Sequence, residues 1–175
     1  MDFIPRELFH KKVSGVNVTG DTLAAELGQQ DSLLIFLRHF GCIFCRELVR
    51  DIRSRFYSPA GFIPTVFFFQ AEAEEGVKFF NTYWPEARGI ADPERQFYRG
   101  FGLEQARIDQ IAGPEPMVCG LRAAAKGNWI GKPVGDVRQM PGMFLVNGSV
   151  VTWQHRYRHA GDHPDLSQIP RYMPV

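Results

Sequence analysis

The chain has 175 residues, of which 45% are hydrophobic, and its 20 Lys and Arg nearly balance its 19 Asp and Glu. This length suits one domain that buries roughly 70% of its unfolded surface, so neither a metal nor a disulfide is needed to hold a core. A formal charge of +1 argues against a general nucleic-acid binder, and no apolar run approaches the ~20 residues of a membrane span. The N-terminal residues lack the apolar stretch of a secretory signal, so we expect a cytoplasmic protein without nucleic-acid or membrane partners.

The first half of the chain contains four segments with a clear pattern. They are a short helix over 21–28, an apolar strand over 33–37, an amphipathic helix that starts at Cys45 and ends near 58–61, and a second apolar strand over 65–69. Asp21 is expected to cap the first helix and Gly28 to stop it. From Cys45, apolar residues recur at i, i+3, i+4, i+7 and i+11, so one helix face is expected to pack on the core for about three turns.

The second half is less regular but contains a strong hairpin signal. Its expected elements are a helix over 73–84, a helix from 92 to about 101, a helix over 116–126, and a β-hairpin formed by 143–146 and 149–153. Asp92 is expected to be the N-cap of its helix, because Pro93 suits the first helical position. Asn147 and Gly148 are expected to form the hairpin turn, since this pair tolerates the left-handed backbone that joins twisted strands.

The order of these elements predicts an α/β fold with a mixed sheet. A strand, a helix and a strand come first, two helices follow, and a hairpin comes last, which favours a parallel front and an antiparallel C-terminal edge. We expect a single domain over 1–175, with an N-terminal extension over 1–20 and an insertion of loops and one helix over 104–139.

Cys42 and Cys45 form a CxxC directly after a buried strand and at the start of a helix, which is the usual setting of a redox pair. Cysteines three residues apart on a helical turn lie ~5–6 Å apart, within the range that a disulfide requires. Cys42 is expected at the helix N-terminus, where free amide groups lower a thiol pKa. Three nearby basic residues favour the thiolate further, and Glu47 partly opposes them; the basic residues are Arg38, His39 and Arg46.

The alternatives for the CxxC are half of a zinc site, which needs two more ligands, and a pair of cysteines without a chemical role. Cys119, the third cysteine, is expected to be a buried packing thiol, with an additional resolving cysteine as the alternative. His155, His159 and His163 are spaced by four, but Gly161 disfavours a helix there, so solvated or loop-capping histidines are expected rather than metal ligands. We therefore predict no metal and no other cofactor.

The segment 36–47, with the sequence FLRHFGCIFCRE, resembles the active-site segment of the peroxiredoxin-like AhpC/TSA-type family of the thioredoxin superfamily. Further stretches similar to this family lie at 91–98, 135–139 and 159–165. The resemblance implies a thioredoxin-like fold, in which helices flank a central mixed sheet, and a thiol-dependent reduction of peroxides or disulfides. It also implies a reductant of the thioredoxin or glutathione type.

The thioredoxin and peroxiredoxin patterns disagree about which sulfur attacks. The thioredoxin pattern makes Cys42 the nucleophile, whereas the PxxxTxxC motif of typical peroxiredoxins places Cys45 there. We predict Cys42, with its sulfur toward solvent and its pKa lowered, because Cys45 shares the helix stripe that faces the core. His39 or water is expected to transfer the proton.

Four residues are expected to contact the substrate. Phe40 and Gly41 precede the CxxC, and Met140 and Pro141 lie close to where thioredoxins place a cis-proline before the strand that faces the disulfide. We expect the Met140–Pro141 bond or its immediate neighbour to be cis, to face the CxxC, and to leave a backbone N–H and C=O free to pair with an extended substrate.

The favoured hypothesis is a thiol peroxidase or disulfide oxidoreductase in which Cys42 attacks, Cys45 resolves and an external thiol restores both. The alternative is a non-catalytic thioredoxin-fold protein, either a soft-metal carrier that uses Cys42, Cys45 and His39 or a partner-binding module. The sequence leaves the substrate, the electron donor and the oligomeric state open, including a homodimer.

Overall fold

A six-stranded mixed sheet forms the centre of the computed structural model, which describes residues 2–58 and 62–169. The strands are β1 (Gly15–Val16), β2 (Asp31–Phe36), β3 (Thr65–Phe69), β4 (Arg88–Ala91), β5 (Gly142–Asn147) and β6 (Val150–Arg156). In the spatial order β1-β4-β3-β2-β5-β6, strands β4, β3 and β2 are parallel, and all other neighbours are antiparallel. The expected mixed sheet with an antiparallel C-terminal hairpin is therefore confirmed.

The described residues also form seven helices, which cover both faces of this sheet. They are α1 (Arg6–Phe9), α2 (Leu23–Leu27), α3 (Ile43–Phe56), α4 (Ala73–Tyr83), α5 (Gln96–Gly100), α6 (Ile108–Ala112) and α7 (Pro114–Ala125). Alternate residues of a strand point to opposite faces, so β2 contributes Leu33 and Ile35 to one core and Leu34 and Phe36 to the other. Residues of α3 and α4 fill the first core, and residues of α2 and α5 fill the second.

The helices predicted in the first half are present, with one cap assigned wrongly. Thr22, not Asp21, caps α2, because the Thr22 hydroxyl oxygen accepts the Ala25 N–H at 3.2 Å. Gly28 stops α2 with a φ of 62°, a backbone conformation that glycine adopts without strain. α3 begins directly after Cys42, and its expected stop falls partly on residues 59–61, which lie outside the described residues.

The helix expected to start at Asp92 begins four residues later, at Gln96. Its N-cap position is Arg95, which has a left-handed φ of 56°. Asp92 still pairs with the free N–H groups at the start of this helix, since its carboxylate accepts hydrogen bonds from the N–H groups of Gln96 and Phe97 at 2.8 Å each. The expectation of Asp92 as the N-cap residue was wrong in position, because the turn between Asp92 and Gln96 brings the carboxylate back over the helix end.

The C-terminal hairpin forms with a turn shifted by one residue. Gly148 and Ser149 form the turn. Of the two, only Gly148 has a positive φ, which is 53°, and glycine is the residue that suits this conformation at the first turn position. Asn147 instead stays in β5, pairs with Val150, and donates its side-chain amide to the Asp31 carboxylate at 2.9 Å. This strand-to-strand bond explains why Asn147 does not take part in the turn.

The fold brings the CxxC to one edge of the parallel strands. Loop 37–42 leads from the carboxyl end of β2 into α3, and this edge is where open α/β sheets place their ligands. Between α5 and β5, the described segment forms α6, which was not predicted, and α7, which starts at Pro114 in the favoured first helical position. No helix among the described residues has the length and apolar character needed to cross a membrane.

Candidate active site

The two cysteines sit at the start of α3 as reduced thiols. Cys42 occupies the N-cap position with an extended backbone, and its N–H donates to the His39 carbonyl at 3.0 Å. Cys45 follows in the first helical turn. Both residues are buried, with 4% of Cys42 and 3% of Cys45 exposed. The expectation that the Cys42 sulfur faces solvent was therefore wrong, because Met140 and Tyr157 join the same buried cluster as both cysteines.

A buried arginine places positive charge against the Cys42 sulfur. The Arg38 guanidinium lies 3.4 Å from Cys42 Sγ through Nη1. Its other two nitrogens are anchored to backbone carbonyls, with Nε donating to Gln139 at 3.2 Å and Nη2 donating to Val137. Because only 3% of Arg38 is exposed, little water screens this charge from the sulfur.

The surroundings push the pKa values of the two thiols in opposite directions. The Cys45 thiol, as hydrogen-bond donor, and the Arg38 charge overcome burial and lower the pKa of Cys42 to about 6. The amides of Phe44 and Cys45 add to this effect, although the sulfur makes no well-aligned capping bond. Burial and the bond to Cys42 raise the pKa of Cys45 well above its ordinary value, while the Arg38 N–H donates to Cys45 Sγ at 3.2 Å. The pair therefore consists of a thiolate at Cys42 and a thiol at Cys45 at neutral pH.

His39, three residues before Cys42, has a neutral imidazole. Burial, followed by the charges of Arg38 and Arg46, lowers the pKa of His39 to about 4. Among the described residues, no group forms a hydrogen bond with the buried His39 Nδ1. The His39 ring is therefore neutral and holds no proton to donate from an imidazolium at neutral pH.

Phe40 and Gly41 pack at the start of α3 and do not form an open binding surface. Phe40 is buried and stacks on Phe79 with ring centroids 4.2 Å apart. Gly41 allows a close approach of the segment at 131–132, since a Cβ at Gly41 would lie 2.4 Å from the Gly131 carbonyl oxygen. Gly131 also donates its N–H to the Gly41 carbonyl at 3.0 Å.

The charges of Arg46 and Glu47 are directed away from the sulfurs. Arg46 donates Nε to the Phe40 carbonyl at 3.1 Å and Nη1 to the Trp129 carbonyl at 2.7 Å, which holds the 129–131 segment against α3. Glu47 is 1% exposed and pairs with Lys126 at 2.9 Å and with Arg122 at 3.3 Å. Burial alone would raise the pKa of Glu47, but these two cations outweigh it and lower that pKa.

The Met140–Pro141 bond is not cis, since residues 2–58 and 62–169 contain no cis peptide bond. The backbone groups expected to be free are also occupied. The Met140 N–H donates to the Glu104 carbonyl at 3.1 Å, and its C=O accepts from the Gln139 side-chain amide at 3.2 Å. The physical reason is that the chain after α5 packs along this edge and takes the place of an extended substrate. Met140 and Pro141 instead line a cavity of about 260 Å³ together with Tyr157.

Sequence reasoning missed the polar side chains that hold Arg38 in place. The Gln70 side chain follows β3, donates to the Arg38 carbonyl, and accepts the Asp136 N–H at 3.1 Å. The Gln139 side chain donates to the Leu103 carbonyl at 3.0 Å, and this bond holds the Gln139 backbone carbonyl where it accepts from Arg38 Nε. Gln70 had a readable signal, because it is a polar residue at the carboxyl end of an apolar strand; Gln139 had only its place at the end of the family-like stretch 135–139.

Two histidines of the C-terminal segment bond to backbone carbonyls, one in the loop after β6 and the other in the first turn of α3. His155 Nε2 lies 2.7 Å from the Asp162 carbonyl oxygen. His163 Nε2 lies 3.1 Å from the Phe44 carbonyl oxygen, and its Nδ1 lies 3.1 Å from the Tyr157 hydroxyl. Burial lowers the pKa of His163 to about 4, so the ring is neutral, Nε2 donates to the carbonyl, and Nδ1 accepts from Tyr157.

Two features bear on the alternatives for the cysteines. Within the described part of the chain, no group of three or more His, Cys, Asp or Glu side chains is arranged to hold a metal ion. Cys119 is half-buried on α7 and packs against the core that contains Cys42 and Cys45, a placement that suits a packing thiol.

Similarity to known sequences centres on one family. A family model described as AhpC/TSA antioxidant enzyme matches residues 47–159, about two thirds of the chain, and begins just after the CxxC. Peroxiredoxin-like 2C from Homo sapiens is 22% identical over 158 residues, which cover 84% of this chain and 70% of the relative. Its counterpart from Mus musculus is 21% identical over 165 residues, which cover 88% and 73%.

Similarity to solved structures extends over nearly the whole fold. A thiol peroxidase from Chromobacterium violaceum matches with a TM-score of 0.60 and 12% identity, covering 98% of this chain and 87% of that one. A mutant of peroxiredoxin Q from Xanthomonas campestris matches with a TM-score of 0.59 and 14% identity, covering 91% and 90%. At these identities the likeness establishes the fold, and the predicted thioredoxin-like architecture is confirmed.

Proposed function

Because the chain belongs to the AhpC/TSA antioxidant enzyme family of the thioredoxin superfamily, we propose that it is a thiol peroxidase with a Cys42–Cys45 dithiol cycle. The observation that carries this proposal is the Cys42 sulfur at the N-terminus of α3, 3.4 Å from the buried Arg38 guanidinium, with a second thiol one turn away. A low-pKa thiolate beside a protonated thiol has the two roles that such a cycle needs.

The first step is attack of the Cys42 thiolate on the hydroxyl oxygen of a hydroperoxide. An S–O bond forms, the O–O bond breaks, and the leaving oxide takes a proton from water, so Cys42 becomes a sulfenic acid. The Cys45 thiol then attacks the Cys42 sulfur, an S–S bond forms, and the hydroxyl group leaves as water with the thiol proton. An external dithiol reduces this disulfide by exchange and is itself oxidised.

Burial of the site favours a peroxide over a protein disulfide as substrate. Only 4% of Cys42 is exposed, which suits an oxidant of a few atoms. An extended polypeptide substrate would need free backbone groups opposite the CxxC, and those of Met140 are engaged by Glu104 and Gln139. Reduction of small disulfides is the second candidate, because the same thiolate attacks sulfur as well as oxygen.

The remaining features of the proposal follow from this cycle. The reductant is either a dithiol of the thioredoxin type or two molecules of a monothiol of the glutathione type, and the chain works as a single domain in the cytoplasm. Arg38 holds the thiolate, whereas Phe40, Gly41 and Arg46 fix the start of α3. The proton that the leaving oxide takes comes from water rather than from His39, because the His39 imidazole is neutral at pH 7.

Thiol counting after one equivalent of hydrogen peroxide tests the proposal. The reduced protein has three thiols, and we expect one to remain, with a mass decrease equal to two hydrogen atoms and no intermolecular crosslink. Cys119→Ser is the matched control and should still lose two thiols. Purified protein that carries stoichiometric copper and fails to consume peroxide would contradict the proposal and favour a soft-metal carrier.

A further inference from the structure

The cavity of about 260 Å³ beside Met140 has no role in the dithiol cycle itself. Its walls come from the segment after α5, the residues just before β5, and the end of β6, which contribute Leu103, Met140, Pro141 and Tyr157 among others. A water molecule takes about 30 Å³ of the liquid, so the cavity is large enough for hydrogen peroxide with room left for an alkyl group.

Met140 and Tyr157 connect this cavity to the surroundings of Cys42. Both residues line the cavity, both are 7% exposed, and both belong to the buried cluster that contains Cys42. The Arg38 guanidinium spans the distance on the Met140 side. Its Nε donates to the carbonyl of Gln139, in the peptide bond before Met140, at 3.2 Å. Its Nη1 lies 3.4 Å from Cys42 Sγ. Met140 and Tyr157 therefore border the cavity on one side and pack into the cysteine cluster on the other.

The two side chains differ in how freely they can move. The Tyr157 hydroxyl is bonded to His163 Nδ1 at 3.1 Å, and His163 Nε2 is bonded in turn to the Phe44 carbonyl at 3.1 Å. A rotation of Tyr157 would break this buried connection. The backbone of Met140 is fixed, since its N–H donates to the Glu104 carbonyl at 3.1 Å. Its side chain is unbranched and flexible, and a thioether is only a weak acceptor, so it can change rotamer without losing a strong hydrogen bond.

We propose that the Met140 side chain is a gate between this cavity and the Cys42 sulfur, and that it limits the size of the peroxide that reacts. The gate rests on the proposed peroxidase function. Hydrogen peroxide needs only a small displacement of the thioether to pass, whereas a bulky hydroperoxide needs more space than one rotamer change opens. Met140 acts on access alone and takes no part in the bonds that form or break.

The ratio of oxidation rates with cumene hydroperoxide and hydrogen peroxide tests this gate by stopped-flow. We expect the unmodified chain to react more slowly with cumene hydroperoxide. Met140→Ala should raise the ratio by about tenfold or more, because apolar groups in a pocket discriminate between substrates by such factors. Met140→Leu keeps most of the volume and should keep the ratio. Met140→Val removes less volume than alanine and should shift the ratio less, in the same direction.

Leu103→Ala is the matched control for Met140→Ala. Leu103 lines the same cavity and is 6% exposed, but it belongs to the core on the other face of the sheet. Its truncation therefore enlarges the cavity without opening the side toward Cys42, and the ratio of the two rates should stay as in the unmodified chain. Thiolate absorbance should give the same Cys42 pKa in Met140→Ala, since Arg38 is anchored to the backbone of Gln139.

Alkylation of Cys42 tests the gate without any peroxide. Iodoacetamide and the bulkier N-phenylmaleimide both react with a thiolate, and peptide mapping separates the three cysteines. Met140→Ala should accelerate the maleimide reaction at Cys42 more than the iodoacetamide reaction. The ratio of the two reactions at Cys119 is the internal control and should not change, because Cys119 lies on α7 and does not line the cavity.

The two assays separate the gate from the peroxidase function. A shifted alkylation ratio in a protein that consumes neither peroxide would overturn the function and support the gate. Unchanged ratios in Met140→Ala and Met140→Val would overturn the gate, as would an equal shift in Leu103→Ala. Equal rates of the unmodified chain with both peroxides would overturn it too. A change of both rates by one common factor in Met140→Ala would show altered reactivity instead of access, and would also overturn it.

Discussion

The first turn of α3 lies between two unlike environments. On one side, Arg38 and Gln139 bring a buried charge and oriented carbonyls to the Cys42 sulfur. On the other side, Ile43 and Phe44 line an apolar groove with no charged side chain. Because electrostatic effects grow as water is excluded, a single substitution on the first side should change reactivity by orders of magnitude. Substitutions on the second side should instead change packing and stability, since apolar contacts scale with area.

The two sulfurs on the polar side should differ most of all. Cys42→Ser should abolish the reaction with peroxide, because the remaining Cys45 thiol has a raised pKa and stays protonated. Cys45→Ser should react once and then stop as a Cys42 sulfenic acid or a mixed disulfide. Intact-mass spectrometry after peroxide addition distinguishes the two products. An adduct trapped on Cys45 in the Cys42→Ser protein would reverse the assignment of the nucleophile.

Loss of the Arg38 charge should have the next largest effect. Arg38→Met keeps much of the side-chain volume but removes the cation 3.4 Å from Cys42 Sγ. An opposite charge at this distance shifts a pKa by about 1–3 units, so the thiolate fraction and the rate at pH 7 should fall by about 2- to 90-fold from a starting pKa of about 6. Thiolate absorbance against pH measures the shift, and stopped-flow measures the rate.

Arg38→Lys is the control for the geometry of this contact. The lysine retains the charge but cannot reach two carbonyls and a sulfur together, so its Cys42 pKa should lie between those of the unmodified chain and Arg38→Met. An unchanged Cys42 pKa in Arg38→Met would show that the helix start alone lowers it.

The contrast between the two sides also explains what the sequence could predict. The helix after Cys42, the two apolar strands and the hairpin were predictable because each has a local period or turn signal. The anchoring of Arg38 was not, since Gln139 lies 101 residues away in sequence and the bond depends on the tertiary fold. The burial of Cys42 was not predicted either, because Met140 and Tyr157, which join its hydrophobic cluster, come from a distant part of the chain. Strands β1 and β4 have two and four residues, too few for a period.

The pH dependence of the reaction should follow the Cys42 thiolate. Its pKa of about 6 lies below the ordinary value, so the rate should be level above pH ~7 and fall about tenfold per unit below pH ~6. The lowered pKa of Cys42 also makes the free energy of unfolding depend on pH. Between pH 9 and about 6 the unfolded thiol binds a proton that the folded thiolate does not, so the stability that Cys42 contributes falls as the pH decreases through this range. Cys42→Ser should remove this dependence. A rate that keeps rising from pH 7 to 9 would contradict the lowered pKa.

His163 should have the smallest effect on the reaction and a clear effect on stability. His163→Leu removes the donor to the Phe44 carbonyl and leaves the buried Tyr157 hydroxyl without its acceptor, so we expect a loss of about 1–3 kcal/mol in the free energy of unfolding. His163→Gln is the matched control, because an amide can donate to the carbonyl and accept from the hydroxyl at the same time. The rate with peroxide should change less than about threefold in both variants, since neither alters the Arg38 contact.

The sign of the His163 effect with pH follows from its lowered pKa. The folded ring has a pKa of about 4 against 6.5 for an ordinary histidine, so between these values the unfolded chain binds the extra proton and stability falls as pH decreases. His39 has the same shift, and two buried histidines therefore contribute to this loss. His163→Gln should reduce the slope of unfolding free energy between pH 6.5 and 4 by about one proton, as measured by denaturant titration at several pH values. An unchanged slope would mean that His163 is protonated in the folded chain, and the neutral-ring hydrogen bonding between Tyr157 and Phe44 would then be wrong.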